Sequence, residues 1–223
     1  MDVERAELGF YLEYLREGMT VFDVGANVGG LTLLFSKFVG SAGRVHAFEP
    51  GGEAFGRLNA VCRATALRNV VLNHIALAEL EGRANLHVYG GAYLGWSSFA
   101  ARPLEDYGIS VEPESVEDVA TTTVDDYCER GQISRIDLLK IDVEGAEYQV
   151  LLGARRMLRH KLVGCVVFEF GQTTFDMGND PERIEAFVKE MGYKLRNVLA
   201  GDPIFPGRAG AQSACYSMHV ATP

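Results

Sequence analysis

Leu8, Tyr11, Leu12 and Leu15 recur at the spacing of one helix face and run toward Gly18, a natural C-terminal stop. The chain is therefore expected to open on an amphipathic helix. Strands and helices then alternate. Apolar runs over 20–24, 44–48 and 70–75 read as strands. Leu31, Leu34, Phe35 and Phe38 mark the helix face after the first, and Phe55, Leu58, Val61 and Cys62 the face after the second. The rhythm returns with a strand over 136–141 and a helix carrying Val150, Leu151, Ala154 and Leu158. Val163 to Phe170 is a near-continuous apolar run, as expected of a strand buried on both faces. Asp180 followed by Pro181 predicts an N-cap and a first-turn proline for a helix bearing Ile184, Phe187, Val188 and Met191. Tyr193 to Val198 and Cys215 to Val220 close the chain as a hairpin across a long Gly/Pro loop. The order predicts an α/β fold: seven strands in a doubly wound, mostly parallel sheet with an antiparallel terminal hairpin.

Between about 77 and 130 the alternation breaks, with short strands expected at 85–89 and 121–124 and a helix starting at 125–129. Composition adds a reason to single out this segment. The 223 residues carry a net charge of −9, yet Pro103 to Glu129 alone holds nine acids and no Lys or Arg. Without that stretch the chain is formally neutral. A chain so balanced, 48% hydrophobic, reads as one globular domain over 1–223 with an acidic insertion at about 77–130. The absence of clustered positive charge argues against nucleic-acid or anionic-membrane partners. No apolar stretch reaches the ~20 residues of a membrane span, and the charged start Met1-Asp2-Val3-Glu4-Arg5 does not read as a secretory leader. Cys62, Cys128, Cys165 and Cys215 show no metal-ligand or disulfide spacing, so a reducing, cytoplasmic setting is expected.

Ligands of such sheets sit beyond the carboxyl ends of the strands, where strand order reverses. The first strand runs into Asp23-Val24-Gly25-Ala26-Asn27-Val28-Gly29-Gly30. Its glycines admit a ligand close to the backbone, but Asn27 stands where a dinucleotide fingerprint has its second glycine. Asp23 would repel a pyrophosphate and suits a cationic ammonium group. The second strand ends at Glu49-Pro50, and an acid 24 residues past Gly25 can accept both hydroxyls of a ribose. Together these describe a nucleoside carrying an ammonium group, which S-adenosylmethionine is. A third block, Ile136 to Glu147, releases Asp142 and Glu144 at a strand end; Glu144 and Glu147 could equally serve the next helix N-terminus. Glu169, after Val166-Val167-Phe168, is a further acid at a strand end.

The blocks VFDVGANVG (21–29), VHAFEP (45–50) and IDLLKIDVEGAE (136–147), with TTTVDDYC just upstream of the last, resemble the FkbM-type methyltransferases, a branch of the class I, Rossmann-like S-adenosylmethionine-dependent fold. The resemblance implies that Asp23, Gly25, Asn27 and Gly29 line the methionine end of the cofactor. It also implies that Glu49 and Pro50 hold the ribose and that Ile75 and Ala76 meet the adenine, with Asp142 beside them. It implies methyl transfer to a hydroxyl of a sugar, glycolipid or polyketide-like metabolite, a small-molecule acceptor.

In-line transfer to a hydroxyl gains from a general base, typically ~10²–10⁴-fold. Asp142 is the first candidate, with Glu169 and Glu144 behind it, and Lys140 is placed to pair with one of them. No metal is expected, although converging carboxylates are also a Mg²⁺ donor set. The loop Tyr89 to Phe99 offers Tyr93, Trp96, Ser97 and Ser98 as acceptor contacts, and the neighbouring acids Glu112, Glu114, Glu117 and Asp118 are expected on its rim. The five histidines, at 46, 74, 87, 160 and 219, have no ligand spacing. A nicotinamide-dependent oxidoreductase and a non-catalytic nucleoside-binding module are the alternatives.

Overall fold

A computed structural model describes residues 2–206 and 216–223. The strands are β1 (Thr20–Val24), β2 (Arg44–Phe48), β3 (Val70–Asn73), β4 (Ala76–Leu77), β5 (Gly82–Val88), β6 (Ser115–Thr122), β7 (Leu138–Ile141), β8 (Val166–Phe170), β9 (Lys194–Asn197) and β10 (Ser217–Thr222). The helices are α1 (Val3–Tyr14), α2 (Gly30–Val39), α3 (Gly52–Ala64), α4 (Val124–Arg130), α5 (Glu147–Gly153), α6 (Arg155–Arg159), α7 (Gln172–Asp176) and α8 (Pro181–Glu190).

Seven strands form one sheet in the order β3-β2-β1-β7-β8-β10-β9, parallel except for β10, which runs antiparallel to both neighbours. The doubly wound sheet and terminal hairpin read from the hydrophobic pattern are therefore present. Order reverses at β1, between β2 and β7, so the crevice opens where β1 and β7 end. One face of the sheet packs Phe22, Leu139, Ile141 and Phe168 against α5, α6 and α8; the other packs Val21, Leu138 and Val167 against α1 and α2. Asp23 and Lys140 are neighbours in register on this second face.

Helix starts follow capping chemistry. Asp180 accepts a hydrogen bond from Arg183 N–H with Pro181 in the first turn, and Thr123 caps α4 through Asp126 N–H.

Several boundaries differ from expectation. Helix α1 ends at Tyr14, ahead of Gly18, and Leu8 and Leu12 are exposed, because Tyr11 and Leu15 alone of the four face the sheet. Phe38 likewise points partly outward, while Thr32, Phe35, Ser36 and Val39 make the buried stripe of α2. The single helix expected after β7 is two short ones, α5 and α6. Strand β3 stops at Asn73, whose side-chain amide bonds back to Ala47 and Val71 carbonyls, and Ile75 falls in the link to β4. The expected start of the last strand at Cys215 lies outside the described residues.

The irregular segment makes a second sheet, β4-β6-β5, with longer strands than the sequence suggested. Between β5 and β6 an excursion through two 3-10 turns, Gly91–Trp96 and Leu104–Tyr107, reaches the turn after β7 and α7.

Candidate active site

A cavity of about 210 Å³ lies at the reversal point. Its wall includes Gly25, Asn27, Glu49, Pro50, Ala76, Asp142 and Glu144, with Trp96 and Ser97 from the excursion. Apolar neighbours Phe48, Leu77, Leu86 and Phe99 complete a flat, greasy end.

The turn after β1 is built around close backbone approach. Gly25 has φ 76°, and a Cβ there would collide with the Asp142 carbonyl oxygen. Gly25 and Ala26 N–H both donate to Phe48 O at 3.0 Å. Glu49 closes the turn: one carboxylate oxygen accepts from Asn27 N–H and the other from Gly51 N–H, each at 2.8 Å. Burial raises its proton affinity, and those two N–H donors oppose the rise. Each oxygen keeps a lone pair for a hydroxyl. The Asn27 side-chain oxygen is buried in the wall without a partner, an acceptor held ready for a polar ligand group. The donor set thus fits a nucleoside with a polar tail.

Asp23 and Gly29 do not line the cavity. Asp23 is fully buried behind the turn, accepting from Thr32 Oγ1 at 2.5 Å and lying 3.5 Å from Lys140 Nζ. Lys140 sits 3.4 Å from Asp142 and donates to Gly25 O at 3.1 Å. Burial works against its charge, but Asp142, Asp23 and Glu7 outweigh it, so Lys140 stays protonated. It ties β1 to β7 just beneath the cavity.

Asp142, Glu144 and Glu169 bring carboxylate oxygens within 4.8 Å of one another. Asp142 and Glu144 line the cavity; Glu169 lies behind, hydrogen-bonded to Asp142. Burial, then the Asp142 charge, pushes Glu144 up to about 8, and burial with the same neighbours holds Glu169 well above the usual carboxylate range. The three acids are placed to accept or share protons, and they are also the described residues that could jointly hold a cation.

The excursion contributes unequally. Trp96 and Ser97 face the cavity, whereas Tyr93 is exposed with its ring 4.7 Å from that of Trp96. Ser98 is buried and donates to Glu144 O at 2.7 Å while accepting from Ala100 N–H, so its hydroxyl is already engaged. Arg102, unmarked in the sequence reading, lies 3.2 Å from Asp176 and 3.6 Å from Glu144, with its guanidinium 5.7 Å from the Trp96 ring centre. Tyr107 OH donates to Asp176 at 2.7 Å. These bonds latch the excursion onto α7. The one available signal for Arg102 was its place as the last base before the acidic stretch.

Of the acids expected on the rim, Glu114 lies against Gly90 at the start of the excursion, whereas Glu117 accepts from Gly52 N–H at 2.9 Å at the start of α3 and Asp118 pairs with Arg83. Asp125, further along the acidic stretch, accepts from Arg156 and Met157 N–H at the start of α6. No histidine lines the cavity; His46 accompanies Tyr127 OH at 2.8 Å, and His74 stacks on Phe55.

The profile of the methyltransferase FkbM domain matches residues 23–195, spanning the turn, the acids, the small sheet and the main sheet from the end of β1 through β8. The chain belongs to the FkbM methyltransferase family. This methyltransferase is 35% identical to the 31-O-demethyl-FK506 methyltransferase FkbM of Streptomyces tacrolimicus, over 86% of this chain and 78% of that relative. It is 26% identical to the hexuronic acid methyltransferase AglP of Haloferax volcanii, over 84% of this chain and 68% of that relative. Its fold superposes on Aeropyrum pernix fibrillarin, solved with S-adenosylmethionine bound, with a TM-score of 0.53 at 17% identity, covering 98% of this chain and 74% of that one. The enzyme is an S-adenosylmethionine-dependent methyltransferase, and the nicotinamide alternative falls. No helix among the described residues is long and apolar enough to cross a membrane.

Proposed function

We propose that this enzyme methylates a hydroxyl oxygen of an uncharged small molecule: a sugar, a glycolipid or a polyketide-like metabolite. One observation carries the reading: among the described residues, the wall of the cavity holds Glu49, Asp142 and Glu144 and no Lys, Arg or His. The two nearby cations, Lys140 and Arg102, are each engaged by two carboxylates. An anionic acceptor finds no counter-charge there, whereas a hydroxyl finds acceptors for its proton. One relative's name, with its 31-O position, supports oxygen chemistry, and the other's, a hexuronic acid, supports a sugar acceptor but an acidic one. The buried free thiols Cys62, Cys128 and Cys165 suit a cytoplasmic enzyme.

When bound, the cofactor supplies an electrophilic methyl group on a sulfonium. Gly25 would admit it close to the backbone, Glu49 would accept from hydroxyls at one end, and Asn27 would offer its free oxygen at the other. With the methyl group passing from the sulfonium to the acceptor oxygen, the hydroxyl proton would go to the acids of the β7 end. Asp142 and Glu144 are the two positioned to receive it; Glu169 backs Asp142. Trp96 supplies an apolar wall that excludes water and orients a ring or lipophilic body.

The test is a methyl-transfer assay with labelled cofactor against neutral sugars, glycolipids, hydroxylated metabolites and uronic acids, with and without a chelator. The expected result is turnover of a neutral hydroxylated acceptor that survives chelation and rises with pH through about 8, where Glu144 gives up its proton. Replacing Asp142 by Asn or Glu144 by Gln should lower kcat on the order of 10²–10⁴-fold for whichever is the base. Preference for uronic acids would overturn the neutral-acceptor reading. Loss of activity to the chelator would make the three acids cation ligands instead.

A further inference from the structure

We propose that Glu147 and Asn179 are positioning residues for methyl transfer, clamping the turn that presents Asp142 and Glu144 to the acceptor. The inference rests on the reading of those two acids as the proton-accepting groups.

The turn after β7 is an unfavourable one for L-residues. Glu144 has φ 54° and Gly145 φ 104°, two consecutive left-handed positions, and a Cβ on Gly145 would collide with the Thr173 carbonyl oxygen. Such a conformation persists only when its surroundings impose it. Here the imposing groups are side chains from three separate elements. One Glu147 carboxylate oxygen, at the first residue of α5, accepts from Val143 N–H at 2.9 Å and from Gly145 N–H at 3.2 Å. Asn179, from the link before α8, donates to Gly145 O at 3.0 Å and is itself fixed by Gln149 Nε2 at 3.1 Å. Ser98 holds the Glu144 carbonyl. Four backbone polar groups, spread over three peptides between Asp142 and Ala146, are therefore bonded to side chains, and both reacting carboxylates hang from that frame.

Glu147 has no other evident employment. It is 1% exposed, lies outside the cavity wall, and makes no ion pair among the described residues. An acid needed only to favour a helix N-terminus does so from the surface, where it costs no desolvation. Holding an unpaired carboxyl in the interior is a cost that its grip on the turn accounts for. Asn179 is buried to 5% and spends its amide in the same way.

The experiment compares Glu147→Ala, Glu147→Gln and Asn179→Ala with the wild type. It measures kcat and KM on a hydroxylated acceptor, affinity for S-adenosylhomocysteine, and amide hydrogen exchange at Val143 and Gly145. The clamp predicts that Glu147→Ala lowers kcat on the order of 100-fold, with cofactor KM and product affinity changed by less than about threefold. Gln, which keeps an oxygen at the same place, restores most of kcat. Asn179→Ala loses about tenfold, and exchange at both amides accelerates in the two alanine variants. A role confined to stability would lower the melting temperature without this split. Unchanged kcat in Asn179→Ala, a Gln variant as poor as Ala, or loss of cofactor affinity in proportion to kcat would each overturn the proposal. Should Glu147→Ala fail to fold, the Gln and Asn179 variants decide. If the wild type turns over no hydroxylated acceptor, the functional reading fails by itself. Hydrogen exchange and product affinity then still judge the clamp: unchanged exchange at Val143 and Gly145 overturns it, and faster exchange with affinity retained upholds it.

Discussion

The turns after β1 and β7 are adjacent, and each is held by a carboxylate, the first through Asn27 N–H and the second through Val143 and Gly145 N–H. Glu49 does this for the first and Glu147 for the second. The first turn is otherwise local: its left-handed positions, Gly25, Asn27 and Gly29, come from a short glycine-rich run, and its supports come from the neighbouring strand. The second recruits Ser98 from 46 residues upstream of Glu144 and Asn179 from 34 residues downstream of Gly145. On the function proposed above, a turn that only admits a ligand can be specified by composition, and a turn that aims reactive groups draws on distant side chains to hold its backbone.

The sharpest way to break this contrast is at the point where the turns touch. Gly25→Ala places a methyl group against the Asp142 carbonyl and should disable both at once, abolishing cofactor binding in calorimetry and turnover in the assay. Binding retained at wild-type affinity would show that the turns move independently. Next in size, Glu49→Ala should weaken cofactor binding by roughly 10–100-fold, the loss of hydrogen bonds to a charged group. The acceptor KM should barely change, which confines Glu49 to the ligand-admitting turn.

The smallest effect is on stability. Glu144 and Glu147 hold protons to about 8 and about 7 in the folded chain, against 4.5 as the ordinary value. Because the folded state binds these protons more tightly, their stabilising contribution is full below about 4.5. It is lost as pH rises through 7 and 8. The melting temperature should therefore fall by several degrees across that window, and Glu144→Gln should flatten the curve. The first turn lacks such a window only if Glu49→Gln leaves the profile unchanged.

The same contrast explains what could be read from the chain. The doubly wound sheet, its terminal hairpin and both strand-end acids followed from hydrophobic runs and from Gly25, Glu49 and Asp142, because each of those signals is local. Ile75 was misplaced because Asn73, a polar residue within an apolar run, ends β3 by bonding backward. Ser98 read as an acceptor contact since a hydroxyl beside a Trp carries no trace of a partner at Glu144. The acidic stretch suggested a rim because charge counts do not show direction; Glu117 and Asp125 point at the starts of α3 and α6. Lys140 was visible as a partner for an acid, but its span from Asp23 to Gly25 O to Asp142 required the parallel pairing of β1 with β7.

The excursion that bears Trp96 leaves and re-enters the small sheet through paired residues, Val88 opposite Ser115, with the Glu114 N–H closing on Val88 O. Its ends are fastened whatever lies between them. Lengthening such a segment costs only about 0.6 kcal/mol for each doubling, and no main-sheet strand shifts register. The fold can therefore take a longer or shorter stretch between those fastened ends, so the cavity wall that carries Trp96 can be resized without rebuilding the turns after β1 and β7.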